Sequence, residues 1–149
     1  MKVSVQAMAI VAAVLLSSCA GTTVSIRDEQ GRPVSWQFPS QVAGKSFLAS
    51  VPLAALVDSP DWDPADSIEP PVLASEAVRI AWVESRVYLA DPTAWEVASV
   101  DLQHLDGRKW VYVVQWQPKG TESSDRLQIP VLLSGHALPL EEVKVTTER

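Results

Sequence analysis

The run "WEVASVDLQHLDGRKWVYVVQWQ", residues 95–117, constrains the fold of this chain more than any other stretch. Apolar and polar residues alternate on both sides of Asp106-Gly107, a dipeptide favoured in the tightest β-hairpin turns because both central residues there take positive φ. With a loop of just those two residues, Leu105 faces Arg108, Gln103 faces Trp110 and Val97 faces Trp116. One side of the ribbon then carries Ala98, Val100, Leu102, Val111 and Val113, small and branched groups suited to receive a helix. The other side carries Trp95, Val97, Asp101, Trp110, Tyr112, Val114 and Trp116. A single extra residue in one strand would send part of it to the opposite face.

The elements around this hairpin follow from local chemistry. Residues 75–89 read as a helix, with Ser75 as N-cap and Asp91-Pro92 as its stop. At helical spacing Ala77, Val78, Ala81, Trp82, Tyr88 and Leu89 share a sector, widened by Ile80 and Val87, while Arg79 and Arg86 point away together. Residues 58–71, "DSPDWDPADSIEPP", hold Pro60, Pro64, Pro70 and Pro71, so neither a helix nor a central strand runs through them. This is an acidic connector, and Trp62 within it is expected to pack back onto the body.

Before the connector, Val24 and Ile26, a turn at 28–31, and Val34, Trp36 and Phe38 give a small hairpin. From Pro39 to Ser59 the pattern fits either a short helix after Pro52 or an extended apolar segment. After the long hairpin, Leu127, Ile129, Val131 and Leu133 alternate as a strand near an edge or a bulge, because Pro130 lacks a donor. Ser134-Gly135 turns the chain, and Val143 and Val145 suggest a last short strand.

The expected fold is therefore α+β. One main helix packs on a three- to four-stranded antiparallel sheet over residues 72–149, preceded by an N-terminal β-hairpin and apolar segment (23–57) and the connector (58–71). The order helix, hairpin, third strand over residues 72–136 resembles the PepSY-like and cystatin-like modules of secreted and envelope proteins. The stretches "PPVLASEAVRIA", "KWVYVVQW" and "IPVLLSG" are also similar to uncharacterised bacterial proteins. Neither resemblance supplies a catalytic residue; both bear on fold.

The amino end speaks to location. After Lys2, residues 3–18 carry no ionisable side chain and are largely apolar, too short a run for a comfortable membrane span, which needs about 20 apolar residues. A basic start, a short apolar centre and small residues before a cut make a secretory leader. Leu16-Ser17-Ser18-Cys19 resembles the lipobox of bacterial lipoproteins. The resemblance implies that residues 1–18 are removed, that Cys19 becomes the first residue and carries thioether-linked diacylglycerol with further acylation by palmitate, and that 19–22 form a tether. Ala20 stands where aspartate would mark inner-membrane retention, so the resemblance points to the outer membrane, facing the periplasm.

Without Lys2 the mature part has 11 basic and 18 acidic side chains, a formal charge of −7. Such a balance disfavours nucleic acid and polybasic membrane contact. Cys19 is the single cysteine, so no internal disulfide forms and the core is held by packing. His104 and His136, the only histidines, lack zinc-site spacing. No G-x-S-x-G makes Ser134 a nucleophile. Ala43-Gly44-Lys45-Ser46 ends like a phosphate loop, yet Pro39 stands at its first glycine position. Asp58, Asp61, Asp63, Asp66 and Glu69 invite calcium but lack the glycine and far glutamate of an EF-hand loop. No metal or cofactor is expected.

What remains is Trp95, Trp110, Tyr112 and Trp116 on one hairpin face. Either this face is an open platform for an envelope protein or polymer, or it is covered by Trp36 and Phe38 or by Trp62; cover is favoured, since a sheet with two apolar faces is covered on both. The expectation is a lipid-anchored, non-enzymatic binding or accessory module of the cell envelope. The alternative is a small envelope hydrolase or other enzyme with an unrecognised site.

Overall fold

The computed structural model of the chain describes residues 23–120 and 122–144. The leader 1–18, Cys19 and the tether, and Val145 of the expected last strand, lie outside the described residues. The strands are β1 Val24–Arg27, β2 Pro33–Val42, β3 Lys45–Pro52, β4 Trp95–Asp106, β5 Lys109–Pro118, β6 Leu127–Leu132 and β7 Leu140–Glu142. Two α-helices, α1 Leu53–Leu56 and α2 Ala74–Ser85, complete the fold with a 3₁₀ turn at Pro92–Ala94. The class is α+β, with the larger helix packed on a sheet. There are, however, two antiparallel sheets, β1-β2-β3-β7 and β4-β5-β6: the expected N-terminal hairpin, β1–β2, forms but is part of a second four-stranded sheet.

The second sheet comes from the stretch whose pattern is ambiguous in sequence. Ala43 and Gly44 both take positive φ, 51° and 77°, and close a two-residue turn between β2 and β3. Val42 pairs with Lys45 across it, and pairing continues to Ser35 and Pro52. The same turn disposes of the phosphate-loop likeness, because Gly44-Lys45-Ser46 is the turn and first residues of a strand. The inner face of this hairpin buries Trp36, Phe38, Val42, Ala49 and Val51. Short β7 then adds to β3 through Leu140, Glu141 and Glu142.

The two sheets meet at a seam controlled by Pro39. The amide and carbonyl of Gln41 exchange hydrogen bonds with the carbonyl and amide of Arg126 at 2.8 and 2.9 Å. Two residues on, an ordinary ladder would need an N–H from Pro39, which has none. The backbone amide of Gln128 instead donates to Ser40 Oγ at 2.8 Å, and Gln128 Nε2 donates to the Pro39 carbonyl at 2.6 Å. From Gln37 back to Pro33, β2 pairs with β1 instead. Proline thus ends one pairing and lets β2 change neighbours. Pro130, buried within β6, is accommodated by the same logic: its carbonyl accepts from the Leu138 amide, so its donorless nitrogen faces that irregular edge and not β5.

Helix α2 is shorter than expected. Leu73, not Ser75, precedes its first turn, with no side-chain cap, and the helix ends at Ser85. Ala77, Ala81 and Ser85, spaced four apart, are fully buried, and their small side chains let the helix approach β5 and β6 closely. Trp82 sits at the rim with 37% of its surface exposed, and Val87, expected to pack, is 72% exposed because the chain has left the helix by then. Tyr88 fixes the far end: its ring meets Phe47 edge-on with centroids 5.6 Å apart. Its hydroxyl donates to Glu84 Oε1 and accepts from the Leu140 amide, both at 2.7 Å. Buried residues of both sheets and α2 join in one core.

Candidate functional site: the aromatic side of the hairpin

The β4–β5 hairpin forms as expected, but its register differs by stages. The two turn residues are Gly107 and Arg108, with Asp106 paired to Lys109. Leu105 is then an extra residue in β4, so His104 pairs with Trp110 and Leu102 with Tyr112. Ala98 is a second extra residue, after which Val97 pairs with Trp116 as the two-residue loop predicts. Between the two bulges the sorting of β4 is reversed. Val100 and Leu102 join the side of Tyr112 and Val114, and Asp101 moves to the side of Val113. The reversal has a clear gain: two apolar side chains replace a carboxylate on the aromatic side.

That side, not the one the sequence assigned to the helix, holds the segment leading into it. The Tyr112 hydroxyl donates at 2.9 Å to the carbonyl of Val72, immediately before the turn into α2. Burial pushes the Tyr112 hydroxyl pKa upward. Trp116 and Tyr112 retain 1% and 4% of their surface, while Trp95 and Trp110 are half-buried.

Trp110 is covered by the connector. Trp62 meets it edge to face with centroids 5.2 Å apart, and Trp110 Nε1 donates to the Trp62 carbonyl at 3.0 Å. The Trp62 amide donates to the Arg108 carbonyl at 3.0 Å, and its indole N–H to the Ser67 carbonyl at 3.2 Å. His104 also packs against Trp110, centroids 4.9 Å apart, with Nε2 2.6 Å from the Gly107 carbonyl.

The acidic residues of the connector face the basic hairpin tip. Asp61 accepts from Lys109 Nζ at 2.8 Å, and Asp63 and Asp66 both lie against the Arg108 guanidinium. The bond from Lys109 holds the Asp61 carboxyl below its ordinary range. Lys109 Nζ also donates to the Ser59 carbonyl at 2.5 Å. The charges expected to stay solvated or to attract a cation therefore strap the connector to the hairpin. Sequence reasoning flagged Trp62 but missed Arg108 and Lys109 as its anchors; the opposite charge of the two segments was the available clue.

Among the described residues no three His, Cys, Asp or Glu side chains gather as a metal site. Ser134 Oγ and His136 Nδ1 lie 3.1 Å apart on an exposed turn. No described helix is long and apolar enough to cross a membrane. Comparison with protein-family models, with curated proteins and with solved structures finds no match.

Proposed function

We propose that this protein is a lipid-anchored module of the cell envelope, held at the outer membrane through Cys19 and facing the periplasm, with a binding or accessory role and no catalysis of its own. The observation that carries the reading is "LLSSCAG" at the end of a basic-started apolar leader, at the position where a lipoprotein leader is cut. Further support comes from chain order: among the described residues, strand pairing begins at Val24, a few residues beyond the cysteine. The acidic balance of the mature part favours a protein or polymer partner over nucleic acid.

Two acyl chains or more give stable anchoring, at about 0.8 kcal/mol per buried methylene. Expressed in a bacterial host, the wild-type chain is expected to incorporate labelled palmitate and to stay with membranes through a high-salt wash. Cys19→Ala is expected to lose both. Membrane retention of Cys19→Ala after that wash would overturn the assignment.

A further inference from the structure

Deepening the binding role proposed above, and resting on that role and not on the lipid anchor, we infer that the outer edge of β4 is the binding site. Its occupant is an extended peptide strand in which apolar residues alternate with lysine or arginine. Strand β4 is twelve residues long and ends the order β4-β5-β6, so among the described residues β5 flanks it on one side and no strand on the other. Its outward amides and carbonyls have no backbone partner among those residues. Such a row of backbone groups is a template for one more strand, which main-chain hydrogen bonds hold and side-chain contacts select.

The two bulges decide what that strand meets, because residues paired across a ladder share a side. Val97, Val100 and Leu102 pair with Trp116, Val114 and Tyr112 on one side. Glu96, Asp101 and Asp106 pair with Gln117, Val113 and Lys109 on the other. Without the extra residues Ala98 and Leu105 the two sets would be mixed. Helix α2 packs over β5 and β6, and at β4 the apolar row reaches its margin: Val97 is 41% exposed, and Val100 and Leu102 are half-buried. All three carboxylates are exposed, while Val111 and Val113 of β5 are buried, so the site runs along the edge and not across a face.

An added strand therefore lays alternate side chains beside the apolar set and beside the carboxylates. Opposite charges across a ladder favour pairing and like charges oppose it. Because β4 contains no lysine or arginine, a second copy pairing through β4 sets its carboxylates against acidic or neutral residues only. In the antiparallel register centred on Asp101, that residue meets its own copy and Glu96 meets Asp106. Charge thus selects a basic, apolar strand over self-association.

The test uses the full chain in detergent and a fluorescently labelled peptide of about ten residues alternating valine and lysine, with a valine–glutamate peptide as control. The lysine peptide is expected to bind, and the glutamate peptide to bind at least about tenfold more weakly. Asp101→Lys is expected to weaken binding of the lysine peptide about tenfold. Glu76→Lys makes the same change in net charge at an exposed position of α2 and is expected to leave binding unchanged. Equal loss in the two variants, or loss in neither, would move binding off β4 and overturn the inference. N-methylation of alternate peptide residues, tried in both frames, is expected to abolish binding in at least one; binding retained in both would exclude strand addition. Sedimentation is expected to show a monomer, and a dimer that the peptide displaces would give the edge to a second copy instead. Failure of the lysine peptide to bind the wild-type chain would overturn the site while leaving the palmitate test of the anchor untouched.

Discussion

Trp62 and Trp110 are joined twice, by an edge-to-face contact with centroids 5.2 Å apart and by a 3.0 Å hydrogen bond from the Trp110 indole to the Trp62 carbonyl. This double contact turns a proline-rich connector into a strap across the hairpin tip. Trp110→Phe keeps an aromatic ring but leaves the Trp62 carbonyl without its donor. It is expected to lower unfolding stability by about 1–2 kcal/mol. Limited proteolysis should then cut within 63–71 faster than in the wild type, and unchanged cutting would show that the strap is held elsewhere.

Acid should loosen the same strap. Because Lys109 holds the Asp61 carboxyl below its ordinary value of 3.8, ionised Asp61 favours the folded state above that pH. The contribution is lost as pH falls through the lowered folded value. Asp61→Asn is therefore expected to be less stable than wild type near neutrality, with the gap closing as pH falls through the lowered folded value. Urea titrations at several pH values measure the gap; a gap that persists at the acid end would contradict the assigned ion pair.

Tyr88 gives the opposite sign. Burial pushes its hydroxyl up to about 12 from an ordinary value of 10, so the neutral form favours folding. That contribution is complete below pH 10 and lost as pH rises toward 12. Tyr88→Phe removes the acceptor of the Leu140 amide and is expected to cost about 1–2 kcal/mol at neutral pH. The difference from wild type should narrow in alkali, which denaturant curves between those two pH values measure.

One substitution should stabilise. Ser59 is buried, and its Oγ has no hydrogen-bond partner among the described residues. Ser59→Ala deletes a desolvated hydroxyl and leaves intact the Ser59 carbonyl that Lys109 uses. An increase of about 1 kcal/mol in unfolding free energy is expected by thermal or urea denaturation. A decrease would mean that the hydroxyl is satisfied in solution.

The long hairpin shows what the sequence could and could not convey. Alternation and Asp106-Gly107 placed both strands, and Val97 still meets Trp116. The bulges at Leu105 and Ala98 were hidden, because they answer to a tertiary demand: apolar Val100 and Leu102 must share a side with Tyr112, which periodicity along one strand does not express. The β2–β3 turn was hidden for a different reason. Ala43 takes positive φ, a conformation that alanine rarely adopts and that local propensity disfavours. At the aromatic side, Trp62 was legible as a residue out of place in a polar linker. The connector and the entry to α2 as its covering layer were not, since that depended on the reversed register.

The proposed placement of this chain in the cell envelope is tested most directly by intact-mass measurement of the protein recovered from its native cells with detergent. The mass expected is that of residues 19–149 with a diacylglyceryl group on the Cys19 sulfur and an acylated amino end. A chain that retains Met1 and a free, alkylatable thiol at Cys19 would contradict it.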